Sequence, residues 1–158
     1  MKNFLLTILI LTIISCVPQK TEEPEEKAVR EKVNQFFLSL GKQDSVLYKS
    51  IMFTNAQIWV VRRQDDSLKI SMRTFGEDIR RFNPQRMIDE RPLSWEIKIH
   101  KEIAMAWVPY ELSINGKFSH CGVDVFTLLK TDTGWRIVNC SYSVEPDGCT
   151  GIKKEYHL

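Results

Sequence analysis

An α+β domain is what this sequence predicts, and three observations carry that prediction. Apolar residues recur at helical spacing early in the chain (Val29, Val33, Phe36, Phe37, Leu40). From Pro92 onward the hydrophobic period changes to two. Asn115-Gly116 then marks a tight hairpin, because a type I′ turn needs positive φ at both central residues. Helices first and long strands afterwards is the order in which helices cover one face of a mostly antiparallel sheet.

The N-terminus reads as an address. Met1-Lys2-Asn3 is a short basic start, and Phe4 to Ile14 is almost wholly apolar but short for a membrane span. It has the make-up of a signal-peptide core. The run closes on Ile13-Ile14-Ser15-Cys16, which resembles the bacterial lipobox. That resemblance implies removal of residues 1–15 and lipidation of Cys16, with the protein held by acyl chains at the cell envelope, on the outer membrane. An ordinary signal peptide with a chance cysteine and an uncleaved anchor are the competing readings. Residues 16–25 carry prolines and glutamates with little to bury, so they read as a disordered acidic tether. The glutamates at 22, 23, 25 and 26 resemble the acidic cluster of surface-displayed lipoproteins.

Residues 26–145 then form one domain, followed by a tail over 146–158. With 43% hydrophobic residues the domain can bury a real core. The formal charge of +2, with no basic stripe interleaved with aromatics, argues against a nucleic-acid partner. Gly41 stands where the first helix would end. Asp44 is placed to cap a second helix bearing Val46, Leu47 and Ile51. Ala56 to Arg63 reads as a strand that Asp65-Asp66-Ser67 turns back into Leu68–Ile70. Met72, Phe75, Ile79 and Phe82 predict a third helix, with Thr74 and Glu77 at capping-box spacing and Asn83-Pro84 at its end. Strands follow over 93–99, 103–114, 118–130 and 135–145.

Phe126-x-Leu128, the closing Gly134-Trp135-Arg136-Ile137-Val138 strand and the Ser119-His120-Cys121-Gly122 run give the domain a family likeness. It resembles the nuclear transport factor 2-like superfamily, which includes SnoaL-like cyclases, ketosteroid isomerase and a lumazine-binding subgroup. The resemblance implies a cone: three N-terminal helices packed on a curved antiparallel sheet, a pocket on the concave face, and an outer face that can form a homodimer. It does not fix the function, because this fold hosts isomerases, dehydratases, cyclases and non-catalytic binders.

Counting back from Asn115-Gly116 and Asp132-Thr133 as two-residue turns sets Glu111 opposite His120, and Asp124 opposite Trp107 and Ser141. Cross-strand partners share a face. Met105, Trp107, Glu111, His120, Asp124, Phe126, Asn139 and Ser141 are therefore expected on the pocket face. Of these, Met105, Trp107, Phe126, Asn139 and Ser141 are candidate ligand contacts. Glu111 would orient His120 as an acid/base pair, or the two would form a salt bridge at the rim. Asp124 would serve as a buried general base, or would be hydrogen-bonded to Ser141 or Asn139. A SnoaL-like enzyme commonly has histidines where this chain has Asn139 and Ser141, which counts against catalysis. Arg62, Arg63 and Arg73 would hold an anion, or simply face solvent. The Cys and His spacing shows no metal motif, and no cofactor is expected. Three cysteines remain besides Cys16: Cys149 could bridge to Cys121 or to Cys140, or all three could be free thiols.

The functional expectation is a lipid-anchored binder of a small apolar molecule or peptide. The alternatives are an isomerase, dehydratase or cyclase, and an accessory subunit that associates through its outer sheet face.

Overall fold

The computed structural model describes residues 23–157. The signal segment, Cys16 and most of the tether lie outside the described residues. None of the described helices is long and apolar enough to cross a membrane.

Helix α1 (Pro24–Lys42) begins with proline at its first turn, where the missing N–H costs nothing. Glu25 is already part of the domain: it accepts from Lys130 Nζ at 2.8 Å and from Trp135 Nε1 at 2.9 Å. The helix buries Val29, Val33, Phe36 and Phe37, each contributing roughly 1.5–3 kcal/mol. It ends at Gln43, not Gly41: Gln43 takes the left-handed conformation, with φ 52°. Gly41 serves close approach instead, since a Cβ there would lie 3.2 Å from the Ile88 carbonyl oxygen. Helix α2 (Ser45–Ile51) is capped by Asp44, which accepts from the backbone N–H groups of Val46 and Leu47.

Strand β1 (Met52–Gln64) turns through Asp65-Asp66, both at positive φ, into β2 (Ser67–Thr74). Met72 therefore belongs to a strand, and the third helix, α3 (Phe75–Ile79), is shorter than its spacing suggested. Its capping box of Thr74 and Glu77 is present. Strands β3 (Ile88–Pro92), β4 (Glu96–His100), β5 (Ile103–Ile114), β6 (Lys117–Thr131) and β7 (Gly134–Val144) follow. β3 is absent from the sequence reading. So is α4 (Thr150–Glu155), which lies within the expected tail.

The seven strands form one curved sheet in the order β2-β1-β7-β6-β5-β3, with β4 also pairing β5. All neighbours are antiparallel except β1 and β7, which run parallel. Helices α1–α3 cover one face. Their core with the sheet includes Ala104, Ala106, Val108, Phe126, Leu128 and Ile137. The Phe36 ring lies 5.1 Å from Phe126 and 5.6 Å from Tyr48.

Two bulges overturn the expected faces. Ile114 pairs Lys117 as the Asn115-Gly116 turn requires, but Leu112 then pairs His120, leaving Ser119 as an extra residue. Beyond it, Cys121 lies opposite Glu111 and Asp124 opposite Val108. In β7, Leu128 pairs Ile137 while Thr127 pairs Asn139, so Val138 is the second extra residue. A one-residue slip reverses every later partner's face. Met105, Trp107, Glu111, Asn139 and Ser141 therefore stand on the outer face, away from the helices. Tyr110, Leu112, Cys140 and Tyr142 take their place inside.

The C-terminal segment folds against that outer face. Cys149 bonds to Cys121 with their Cα atoms 5.5 Å apart, while Cys140 is free and buried. Ile152 is buried beside them, and Trp107 Nε1 donates to Tyr156 Oη at 2.8 Å. Gly122 is packed just as closely, because a Cβ there would run into the Ser143 carbonyl and the Tyr110 ring. Gly122→Ala should cost about 2–3 kcal/mol, as overpacking does. Gly151→Ala, which meets open space in α4, should be neutral or slightly stabilising. Urea midpoints measure both, and equal midpoints for the two variants would contradict this packing.

Candidate functional site

Between α1, α3 and the covered sheet face lies a cavity of about 140 Å³. Phe36, Leu40, Ile58, Phe82 and Leu112 supply apolar walls. Polar groups converge from several elements: Arg73 from β2, Asp78 from α3, Glu90 from β3, Tyr110 from β5, His120 and Asp124 from β6, and Cys140 and Tyr142 from β7. An apolar cavity with a few placed polar groups is the usual form of a small-molecule site.

One carboxylate in it is fully countered. Asp78 accepts from Arg73 Nε at 2.6 Å and from Tyr48 Oη at 2.7 Å. The same guanidinium donates through Nη1 to Tyr142 Oη at 3.4 Å.

The other carboxyls are not countered. Asp124 is 2% exposed. Its Oδ1 has only the Cys140 thiol, at 3.9 Å, and its Oδ2 has no hydrogen-bond partner. The carboxyl of Glu90 stands beside it. Two carboxylates offer each other only acceptors, so an oxygen stays orphaned unless a proton lies between them. Burial, and then the neighbouring charge of Glu90, push Asp124 well above the usual carboxylate range. Burial pushes Glu90 up to about 7. The two titrate as one pair. Burial also raises the Cys140 thiol and the Tyr110 and Tyr142 phenols, so these groups stay protonated at neutral pH.

His120 lines the same cavity. Its Nδ1 lies 2.9 Å from Ser119 Oγ, and its Nε2 is buried without a partner. Burial, then the charges of Arg62 and Arg86, lower its pKa and keep the ring neutral. It stands four residues from Asp124 along β6, about 13 Å, so the two do not form a dyad.

The structure thus brings His120 and Asp124 into one cavity and buries Phe126 in the core behind it. It separates Glu111 from His120. Glu111 instead lies 3.2 Å from Lys153 Nζ and 3.4 Å from Cys149 Sγ. Met105, Trp107, Asn139 and Ser141 do not line the cavity, and Ser141 donates to Asn139 on the outer face at 2.9 Å. Arg62 and Arg63 are exposed on the β1–β2 hairpin. Glu90, Asp78 and Tyr110 are site residues that sequence reasoning missed, and Arg73, read there as an anion holder or a solvent-facing group, is instead engaged by Asp78. For Glu90 the alternation Ile88, Glu90, Pro92 is too short to mark a strand without its pairing to β5.

A family model described as "Putative lumazine-binding" matches residues 24–143. The chain belongs to this family. Its fold is nuclear transport factor 2-like. A protein of that superfamily from Salmonella enterica serovar Typhimurium superposes with a TM-score of 0.61 at 18% identity, covering 79% of this chain and 94% of that one. A similar protein from Cytophaga hutchinsonii gives 0.63 at 9% identity, over 77% and 99%. One from Shewanella frigidimarina, described as "a putative ketosteroid isomerase", gives 0.57 at 18%, over 76% and 98%. At these identities the likeness is one of fold. No curated protein matches the chain.

In this family member the carboxyl pair sets a pH dependence. On folding, burial raises Glu90 from 4.5 to about 7 and raises Asp124 well above the usual carboxylate range. Over that interval the folded state binds more protons than the unfolded state, so stability falls as pH rises through it. Asp124→Asn removes one member of the pair. Urea unfolding from about pH 5 to about pH 8 should therefore show the wild type losing stability relative to Asp124→Asn. Parallel curves for the two proteins would contradict the pair's shared titration.

Proposed function

We propose that this protein is a lipid-anchored envelope protein whose nuclear transport factor 2-like domain binds a small, partly apolar molecule in the cavity. One observation carries the binding reading. The cavity holds a buried polar atom that the chain itself leaves unpaired, His120 Nε2, and a carboxyl pair, Glu90 and Asp124, whose facing oxygens only a proton between them satisfies. Unpaired buried polar atoms cost about 1–3 kcal/mol each, a cost that a ligand with matching groups removes. The family description points to a small heterocycle as one such ligand. The anchor is supported by the lipobox-like Ile13-Ile14-Ser15-Cys16, and the acidic segment after it supplies a tether.

A second reading is an acid–base enzyme of the isomerase or dehydratase kind. The raised pKa of the Glu90–Asp124 pair supports it, since a carboxyl poised near neutral pH can take or give a proton. The pair then takes or gives that proton as a unit, with Asp124 as its buried member. Association through the outer face is supported by the exposed apolar row of Trp59, Leu68, Ile70 and Met72, which the β1–β2 register puts on one side of the hairpin.

Native mass spectrometry of the full-length protein purified from its own envelope tests these readings together. The expected result is a chain starting at Cys16 with acyl groups attached, carrying a co-purified small molecule. Its stoichiometry reads the association directly. An unmodified N-terminus would refute the anchor, and a protein that is always empty would refute the binding reading.

A further inference from the structure

We propose that the cavity selects an organic cation, a small amine whose protonated nitrogen sits between Glu90 and Asp124 while its apolar part lies against Phe36 and Ile58. This rests on the small-molecule reading above and names the ligand class for that same cavity.

The carboxyl pair has no ion-pair partner of its own among the described residues. Asp124 is almost wholly buried, and its Oδ2 is without a partner. Glu90 adds a second carboxyl beside it. Of the three arginines that line the cavity, Arg73 is engaged by Asp78 and reaches on to Tyr142, and among the described residues neither Arg81 nor Arg86 forms an ion pair with Glu90 or Asp124. A buried carboxylate and a half-buried one beside it do not both ionise readily without a countercharge. In the empty cavity a shared proton supplies it. An ammonium supplies the same charge with up to three donors, and so satisfies the orphaned oxygen as well. A neutral donor brings no charge, and an anion meets like charge at the pair.

Size sets a further limit. A cavity of about 140 Å³ is close to one that takes benzene, at about 150 Å³, so the apolar part is one ring or its aliphatic equivalent.

Binding should therefore exchange one proton for one ammonium. The groups facing the pair leave that exchange legible. Tyr110 from β5 and Cys140 and Tyr142 from β7 stay protonated because burial raises them. Asp78 from α3 is held by Arg73 from β2. His120 on β6 is kept neutral by burial, Arg81 and Arg86 follow α3 in the lining, and α1 contributes Phe36 and Leu40, with Gln43 just beyond its end.

Isothermal calorimetry on the full-length protein, with benzylamine, benzyl alcohol and benzoate as probes, tests the proposal. Two buffers of different ionisation heat count the protons. Benzylamine is expected to bind at least roughly tenfold tighter than benzyl alcohol, releasing about one proton. Asp124→Asn should bring the amine down to the level of the alcohol, and Glu90→Gln gives the same readout if that variant does not fold. Alcohol or benzoate binding as tightly as the amine overturns the cation class and leaves the small-molecule reading standing. No binding by any of the three overturns both.

Discussion

One extra residue, Ser119, decides which side of the central ladder meets the helices. Upstream of it the hairpin follows its turn, and beyond it every partner is displaced by one. That displacement puts Tyr110 and Leu112 on the same face as His120 and Asp124, and leaves Trp107 and Glu111 outside. The bulge at Val138 repeats the correction in β7, bringing Cys140 and Tyr142 to the same face. Without both bulges the cavity would have different walls and the C-terminal segment a different surface to cover. Bulges near a site that re-aim side chains are a recurring device of antiparallel sheets.

Within the cavity two carboxyl arrangements stand in contrast. Asp78 has a guanidinium and a phenol on its two oxygens. Removing Arg73 would strand it, as losing one partner of a buried pair does. Glu90 and Asp124 have no such partner, so their only internal remedy is a proton. A fold that satisfies one buried acid fully and leaves two more carboxyls at the cavity has concentrated its unpaired polarity where a ligand can enter. The outer face has the opposite character. There the disulfide, Ile152 and the Trp107–Tyr156 hydrogen bond close the surface over β5 and β6.

Much of the fold was legible because local chemistry marks it. Asp44, the Thr74–Glu77 box, Asp65-Asp66 and Asn115-Gly116 each satisfy or bend a specific stretch of backbone, and each does so in the structure. Gly41 misled because a glycine near a helix end can serve close packing as well as a left-handed turn. Ser119 and Val138 carried no mark at all, since a bulge interrupts neither the strand's length nor its composition. Glu90 was hidden for another reason. Ile88–Pro92 is a short, polar edge strand ending in proline, and its identity comes from pairing with β5 rather than from its own pattern. Asp124 and His120 were legible as cavity residues only because their strand kept the expected face while its neighbours changed.

Burial and their mutual charge favour one proton held between Glu90 and Asp124 at neutral pH. Carbon-13 NMR of the side-chain carboxyls, titrated in the full-length protein and assigned with Asp124→Asn and Glu90→Gln, reads that proton directly. Two carboxyl signals should shift together, with a proton still bound near pH 7. Two signals that are each fully ionised by about pH 5, as ordinary carboxyls are, would contradict it.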